Sequence, residues 1–290
     1  MILGKHAIGV CDWSLRLESV EELISRLNTL GLTHVQLALS PHLEKPVEAQ
    51  QAVFKTLADA GIAVTAGQMA FAGENYASIA TIRKTGGFVP SDTWPARRDA
   101  TLAGGKLAAR AGIKTITLHL GFIPPSNDPL YPVIVSRTAE VAAAFAADGI
   151  SLLLETGQEK APELLRFLND LNARNVGVNY DPANMLLYGA GDPVDAITTL
   201  GRHIQHVHIK DALHSVQPGV EWGTEIGFGL GDLPHTALFT ALANVDYGGP
   251  LVIEREATSA NDEDFAATIE RLASLISEQP PATIAAAAKP

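Results

Sequence analysis

A repeated unit of helix, glycine and apolar strand is the feature that most restricts the fold of this chain. Four helical patterns end at a glycine that is followed at once by an apolar run, at Gly31, Gly61, Gly112 and Gly149. Glycine just after a helix adopts the left-handed conformation that ends it, and the apolar run behind it is typical of a buried strand. The sequence therefore predicts helices that alternate with buried strands.

Eight strands and eight helices are predicted in alternation. The strands are predicted at 7–11, 34–39, 62–66, 115–119, 151–155, 176–181, 203–209 and 250–255. The helices are predicted near 19–30, 46–60, 95–110, 132–147, 161–171, 192–201, 233–243 and 260–277. Because no linker or change of composition divides the chain, this pattern predicts an α/β fold that is a single (β/α)8 TIM barrel. We expect the barrel to occupy residues 1–279 and residues 280–290 to form a flexible tail.

Two other architectures fit the sequence less well. A doubly wound sheet normally carries a glycine-rich phosphate turn after its first strand, where this chain has the residues Cys11-Asp12-Trp13-Ser14. A length of 290 residues also permits two domains of about 150 residues each. The regular spacing of strands and helices favours one barrel over either alternative.

Charge, cysteine content and hydropathy exclude several functional classes. The chain has 21 basic and 32 acidic side chains, a formal charge of −11, and no basic stripe, which disfavours nucleic-acid binding. Its single cysteine cannot form a disulfide framework, and no window approaches the ~18 consecutive apolar residues of a membrane span. We therefore predict a soluble, cytoplasmic protein with no membrane or nucleic-acid partner, and leave open whether it forms a homo-oligomer.

Four predicted strands end in side chains that commonly bind metal ions. They are Glu155, Asp181, His208 and Glu254. Successive strand ends are neighbours at the rim of a barrel, so we expect these side chains to converge. Three carboxylates and one imidazole favour a divalent ion, with Mn²⁺ preferred and Mg²⁺, Co²⁺ and Zn²⁺ as alternatives. A helix cap or a salt bridge explains any one of them alone, but a metal ion best offsets the cost of burying all of them in apolar strands.

These residues lie in motifs that resemble the sugar isomerase/epimerase superfamily with the xylose-isomerase-like TIM barrel. The motifs are Glu155, Asp181-Pro-Ala-Asn184, His206-Val-His208-Ile-Lys-Asp211, the run from Gly227 to Asp232, and Glu254-Arg-Glu256. The superfamily includes ketose 3-epimerases, inosose dehydratases and hydroxypyruvate isomerases. The resemblance spans about residues 7 to 276 and implies that the four residues bind the metal ion. It further implies that Glu155 and Glu254 act as the catalytic acid/base pair.

The predicted function is that of a metal-dependent sugar isomerase or epimerase. A divalent ion that binds a carbonyl oxygen and a neighbouring hydroxyl stabilises the charge that develops when the adjacent carbon loses its proton. Return of the proton to the opposite face gives epimerisation, return to the next carbon gives isomerisation, and loss of a hydroxyl gives dehydration. A dehydratase of a keto-inositol or keto-sugar is the nearest alternative, and a sugar-binding barrel without turnover is the non-enzymatic one.

A lyase or hydrolase that acts on keto-glycosides is a further alternative. It would be favoured by a wide apolar cleft formed by Trp13, Phe71, Phe122, Ile123 and Trp222. Two departures from the ketose epimerase pattern also weaken the assignment to free ketoses. Where those enzymes have His three residues after the metal-binding Asp, this chain has Asn184, and where they have Arg six residues after the metal-binding His, it has His214.

Seven side chains are predicted to bind the substrate, because the rim of a barrel is where such residues are found. They are Trp13, Gln68, His119, Asn184, His206, Lys210 and Trp222. Each has a structural alternative: core packing for the tryptophans, a hydrogen-bonded interior position for the histidines, and a salt bridge with Asp211 for Lys210.

Two long connections, 67–94 and 210–232, follow strands on the same face. The first could close over a substrate as a lid. The second contains a glycine cluster at 227–231. We interpret this cluster as a turn-forming loop in preference to a phosphate site, because no Lys or Arg lies between 211 and 254.

Overall fold

Eight parallel strands close into a barrel in the computed structural model, which describes residues 1–258 and 260–278. The strands of these ranges are β1 (Ile2–Leu3), β2 (His6–Cys11), β3 (His34–Ala38), β4 (Ala63–Met69), β5 (Thr115–Leu118), β6 (Ser151–Glu155), β7 (Val176–Tyr180), β8 (Ile204–Ile209), β9 (Asp211–Leu213), β10 (Thr224–Ile226) and β11 (Leu251–Ile253). The barrel order is β2-β11-β8-β7-β6-β5-β4-β3, and pairing of β2 with β3 closes the ring. The predicted single (β/α)8 TIM barrel is confirmed.

Helices surround the barrel and cover its C-terminal face. Within the described residues they are α1 (Asp12–Leu15), α2 (Val20–Thr29), α3 (Val47–Asp59), α4 (Ile79–Thr85), α5 (Trp94–Ala111), α6 (Tyr131–Ala147), α7 (Ala161–Leu171), α8 (Pro182–Tyr188), α9 (Pro193–Leu200), α10 (His235–Asn244) and α11 (Asp262–Ser277). The outer ring consists of α2, α3, α5, α6, α7, α9, α10 and α11, and these lie within two residues of the predicted helices. The sequence did not predict α1, α4 or α8.

The glycine signals explain where strands begin. Gly112 ends α5 with a φ of +75°, and Gly149 follows α6 with a φ of +68°, a conformation that side chains with a Cβ rarely adopt. Strands β5 and β6 start two to three residues later. In β6, Leu152 and Leu154 pack in the main hydrophobic core. The intervening side chains, which end with Glu155, alternate onto the inner face of the barrel.

The two long connections contain secondary structure that the sequence did not reveal. The first contains α4, and the second contains the antiparallel hairpin of β9 and β10. None of the described helices is both long and apolar enough to cross a lipid bilayer. Residues 280–290, predicted to form a flexible tail, lie outside the described residues.

Candidate functional site

The ends of four barrel strands bring Glu155, Asp181, His208 and Glu254 together. One ligand atom from each side chain lies within 4.8 Å of each of the others, and all four residues are buried. Nδ1 of His208 is 3.5 Å from Glu155 Oε1, 3.7 Å from Asp181 Oδ2 and 3.2 Å from Glu254 Oε2. The convergence expected from the sequence is therefore present as a buried cluster of three carboxylates around one imidazole.

Among the described residues, two of these ligand atoms are buried without a hydrogen bond: Oδ2 of Asp181 and Nδ1 of His208. Oδ2 of Asp181 also lies 3.7 Å from Nζ of Lys210, an ion pair too long for a hydrogen bond. Nε2 of His208 lies 2.7 Å from Oε1 of Gln36, which can only accept, and 3.2 Å from Nδ2 of Asn179, which can only donate. The shorter contact favours a proton on Nε2 of the neutral imidazole, since Nδ2 of Asn179 also donates to Glu155. Nδ1 then presents a lone pair to the three carboxylates, and these groups repel one another unless a positive charge lies between them. The donor set and its unsatisfied atoms fit a divalent metal ion.

The pKa of His208 reflects the same need for positive charge. Burial alone would lower this pKa, but the carboxylates of Glu254 and Glu155 raise it well above its ordinary value. A proton on Nδ1 therefore stabilises the cluster when no metal ion does so. Because metal ligands must be deprotonated, binding of an ion at this cluster releases that proton.

Glu155 is oriented by two amide side chains. Nδ2 of Asn184 donates to its Oε1 at 3.0 Å, and Nδ2 of Asn179 donates to its Oε2 at 3.2 Å. Nε2 of His119 lies 3.4 Å from Oε1. Burial disfavours the ionised form of Glu155, but His119 and His208 lower its pKa below the ordinary value. The carboxylate is thus held ionised and in one orientation.

Lys210 is fully buried and contacts the other catalytic candidate. Its Nζ lies 3.0 Å from Glu254 Oε2, 2.5 Å from Glu256 Oε2 and 3.2 Å from Asn184 Oδ1. Burial disfavours the ammonium form, but Glu254 and Glu256 raise the pKa of Lys210 well above its ordinary value. The side chain therefore carries a positive charge against Glu254, whose second oxygen accepts from Nε1 of Trp13 at 3.0 Å.

The salt bridge considered between Lys210 and Asp211 does not form. Neighbouring residues of an extended chain point to opposite sides, so the two side chains face different surroundings. The carboxylate of Asp211 accepts from the amides of Gly229 at 2.9 Å and Gly231 at 3.1 Å, and lies 2.9 Å from Nε2 of His235. The glycine cluster is therefore a loop folded around Asp211, and these amides are already used within the protein.

A cavity of about 790 Å³ adjoins the cluster at the C-terminal face of the barrel. Five of the seven predicted substrate-binding residues line it: Trp13, Gln68, His119, Asn184 and Trp222. Lys210 lies behind Glu254 and does not line the wall.

His206, the seventh predicted substrate-binding residue, lies inside the barrel. Its Nδ1 is 2.8 Å from Asn179 Oδ1, and its Nε2 is 3.2 Å from Thr65 Oγ1. Burial holds its pKa well below the ordinary value, so the imidazole is neutral. His206 is 1% exposed and is not part of the cavity wall, which leaves it able to orient Asn179 and, through that amide, Glu155.

Several cavity residues were missed from the sequence. They are Glu74, Tyr76, Tyr188, Glu225 and Glu256. Tyr188 belongs to α8, which Asp181 caps by accepting from the backbone N–H of Asn184 at 2.9 Å. An aspartate followed directly by proline is typical of a helix start and was the signal that could have revealed α8. Phe71, Phe122 and Ile123, considered for an apolar cleft, do not line the cavity.

The segment that follows Glu254 is held from two sides. Glu225 accepts from the backbone N–H groups of Glu256 and Ala257, each at 3.0 Å. The guanidinium of Arg16 donates to the carbonyl oxygens of the same two residues at 3.0 and 2.6 Å. These contacts fix the position of Glu256 next to Lys210, and with it one wall of the cavity.

A family model described as Xylose isomerase-like TIM barrel matches residues 24–275 of the chain. Among solved structures, a xylose isomerase domain protein from Planctomyces limnophilus is 35% identical with a TM-score of 0.85, covering 94% of this chain and 96% of that one. D-Psicose 3-epimerase from Clostridium cellulolyticum H10 has a TM-score of 0.70 at 16% identity, covering 93% and 99%, which shows a shared fold alone.

Two curated proteins match parts of the chain. YihM of Escherichia coli K12 is 29% identical over 138 residues, which is 47% of this chain and 41% of that protein. The inosose dehydratase of Geobacillus kaustophilus HTA426 is 28% identical over 109 residues, which is 34% of this chain and 35% of that enzyme. The chain thus aligns with less than half the length of each. The family and these neighbours include epimerases and dehydratases.

Proposed function

The chain belongs to the xylose isomerase-like TIM barrel family, and from that premise we propose that it is a divalent-metal-dependent isomerase or epimerase of a sugar or related polyhydroxy carbonyl compound. The observation that carries the proposal is a pair of buried ligand atoms, Asp181 Oδ2 and His208 Nδ1, that make no hydrogen bond to the described residues and lie between two oriented glutamates. Glu155, Asp181, His208 and Glu254 would hold the ion. A dehydratase of a keto-inositol or keto-sugar uses the same first step and is the alternative.

The two glutamates supply the proton transfers. When bound, a divalent ion supplies the Lewis acid that holds the substrate's carbonyl and neighbouring hydroxyl oxygens and stabilises the developing negative charge. One carboxylate removes the proton from the carbon next to the carbonyl, and the other returns a proton from the opposite side, which inverts that carbon. Glu155 and Glu254 come from different strands of the ring, which supports roles on different sides of the substrate.

Neighbouring side chains support these roles. His119 Nε2, 3.4 Å from Glu155 Oε1, can hold the proton that Glu155 gains or loses. Burial would lower the pKa of His119, but Glu155 and other carboxylates raise it. Lys210 keeps a positive charge against Glu254, which favours the ionised form needed by a base. Trp13 fixes the other oxygen of that carboxylate.

A second candidate is elimination from a keto-glycoside, in which the same proton removal expels a group from the sugar. The size of the cavity and the aromatic residues Tyr188 and Trp222 on its wall favour it. Both candidates take a small carbohydrate as substrate, and both predict a cytoplasmic enzyme. A homo-oligomer stays a prediction.

Proton exchange in heavy water tests the proposal. With Mn²⁺ and a panel of ketoses, keto-inositols and keto-glycosides, we expect deuterium at the carbon next to the carbonyl of at least one substrate. Glu254→Gln should abolish exchange, whereas Glu221→Gln, at an exposed glutamate outside the cavity, should not. Exchange that survives Glu254→Gln would contradict the acid/base role of Glu254. No exchange with any substrate, together with purified protein that binds no divalent ion, would instead support a sugar-binding barrel.

A further inference from the structure

The cavity extends beyond the metal-ligand cluster, and we propose that its outer part binds an uncharged ring, an aryl group or a second sugar, attached to the sugar that reacts. This inference rests on the proposed function, because it assumes that the reacting sugar lies beside Glu155 and Glu254. The volume of about 790 Å³ supports it. Sites for drug-sized ligands of several rings span roughly 300–1,000 Å³, so one sugar ring leaves much of this cavity unfilled.

The outer part has an aromatic wall, formed by Tyr76, Tyr188 and Trp222. The rings of Tyr188 and Trp222 meet edge to face, with centroids 4.6 Å apart and an interplanar angle of 71°. The ring of Phe122 packs edge to face against that of Tyr188, with the ring centroids 5.7 Å apart. Aromatic faces offer apolar area and favourable stacking to planar rings and to the C–H faces of sugars.

Backbone contacts hold this wall in place before any ligand binds. The N–H of Gly223 donates to the carbonyl oxygen of Leu187 at 2.9 Å, and the N–H of Gly219 donates to that of Tyr188 at 3.1 Å. A Cβ at Gly223 would lie 2.5 Å from the carbonyl oxygen of Leu213, so only glycine allows this close approach. A wall that is already ordered costs less conformational entropy on binding.

The aromatic wall lies close enough to the reacting centre for a single ring to contact it. Tyr188 follows Asn184 by four residues on α8, so both project from the same side of the helix, about 6 Å apart along its axis. Asn184 donates to Glu155, the acid/base candidate. A sugar beside Glu155 would therefore direct a substituent toward Tyr188.

The charge of the wall selects against anionic groups. Glu74, Glu225, Glu254 and Glu256 line the cavity, and none of the described lining residues is Lys or Arg. The nearby ammonium of Lys210 is already paired with two of these glutamates. Glu225 is paired with Arg255 in the same way. A phosphate or carboxylate on the substituent would meet carboxylates and no Lys or Arg among the described lining residues, so the substituent is uncharged.

Binding of glycosides that lack a carbonyl tests this subsite. Dissociation constants are measured by calorimetry with Mn²⁺ for methyl and phenyl β-glycosides of glucose, galactose, mannose and xylose, for methyl β-cellobioside and for methyl β-glucoside 6-phosphate. At least one phenyl glycoside or methyl cellobioside should bind tenfold or more tightly than the corresponding methyl glycoside of a single sugar, and methyl glucoside 6-phosphate no more tightly than methyl glucoside. The phenyl and cellobioside arms distinguish an aryl group from a second sugar.

Variants of Trp222 and Tyr188 test whether the aromatic wall causes the tighter binding of glycosides with a ring substituent. Trp222→Ala should bring the ratio of the two dissociation constants close to one, and Tyr188→Leu should reduce it if the first variant folds poorly. Trp94→Phe is the matched control, because Trp94 packs on Phe88 at 4.9 Å, does not line the cavity and should keep the ratio. A ratio near one for every pair in the parent protein, or tighter binding of methyl glucoside 6-phosphate than of methyl glucoside, overturns the inference.

Failure of this inference is distinct from failure of the proposed function. The glycosides cannot undergo proton exchange, so their binding ratio is independent of catalysis. Exchange with a keto-sugar together with a ratio near one would overturn only the outer subsite. A high ratio without exchange on any carbonyl substrate would overturn only the proposed reaction.

Discussion

Asp181 and Asp211 are both 0% exposed and follow neighbouring barrel strands, yet their carboxylates have opposite surroundings. Asp211 receives hydrogen bonds from the backbone N–H groups of its neighbour Ala212 and of the loop that follows, and lies beside the imidazole of His235. Asp181 Oδ1 accepts from Asn184, whereas Oδ2 makes no hydrogen bond within the described part of the chain. Burial alone therefore does not distinguish a candidate metal ligand from a structural carboxylate. An acceptor left without a hydrogen bond does.

The largest expected effect is on catalysis, at Asp181. Asp181→Asn removes one negative ligand while keeping nearly the same shape, so the ion is held weakly and proton exchange falls by about 10³-fold or more. Metal analysis after gel filtration and exchange in heavy water measure the two losses. Asp211→Asn should keep a stoichiometry of one ion per chain, and loss of the ion from that variant would remove the distinction between the two aspartates.

The next effect is on stability, at Asp211. Asp211→Ala leaves several backbone donors and the His235 side chain without their partner, which should lower the free energy of unfolding by about 3 kcal/mol. Without metal, Asp181→Asn should unfold at the same or higher denaturant concentration than the parent, because burial raises the pKa of Asp181 above its ordinary value even with Lys210 and His208 3.7 Å away. Urea titrations of both variants in the presence of a chelator test this, and equal destabilisation would contradict it.

Metal addition should stabilise only the proteins that keep Asp181. An ion that binds the folded chain but not the unfolded chain stabilises the folded state by about 2.7 kcal/mol at a concentration 100 times its Kd. The parent protein should therefore show a higher Tm with Mn²⁺, and so should a folded Asp211→Asn variant. The Asp181→Asn protein should not, and an equal shift in all three would mean that the ion binds elsewhere.

Much of the fold and of the cluster was predictable from the sequence. Gly31, Gly61, Gly112 and Gly149 marked helix ends, and Glu155 and Glu254 ended apolar runs, so strand positions gave the meeting point of the ligands. The helix α8 was not predicted although Asp181-Pro182 marks its start, whereas the β9–β10 hairpin depends on contacts with α8 rather than on local pattern. The N–H of Gly223 on the carbonyl of Leu187 is one such contact.

The surroundings of Lys210 and Asp211 were misjudged for a different reason. Adjacent residues were paired because they are close in sequence, although the alternation of an extended chain separates their side chains. The partners of Lys210 come from the segment after β11, and those of Asp211 come from the glycine loop. No local pattern in the sequence connects Lys210 to Glu256, which lies 46 residues away.

The smallest expected effect concerns the buried carboxylate of Glu159, which accepts a hydrogen bond from the backbone N–H of Ile123 at 3.0 Å. Burial raises its pKa to about 7 from an ordinary 4.5. The folded state then binds a proton more tightly than the unfolded state, so stability falls as pH rises from about 4.5 to about 7 and is level above that.

Glu159→Gln removes this titration. The variant should therefore gain stability relative to the parent as pH rises, by about 2 kcal/mol between pH 5 and pH 8. Denaturant unfolding at several pH values measures the difference. Glu270→Gln, at an exposed glutamate on α11, is the control, and a difference for Glu159→Gln that does not change with pH would contradict the assignment.

The closure of the barrel has a consequence for synthesis of the protein on the ribosome. Strand β11 lies between β2 and β8, and Trp13 hydrogen-bonds to Glu254 across 241 residues of chain. A nascent chain that has exposed only β2 to β8 is an open sheet with two unpaired edges, which favour aggregation until another strand covers them. The emergence of β11 covers both edges and delivers the last carboxylate of the cluster, so the proposed metal site is complete only when translation has passed Glu254.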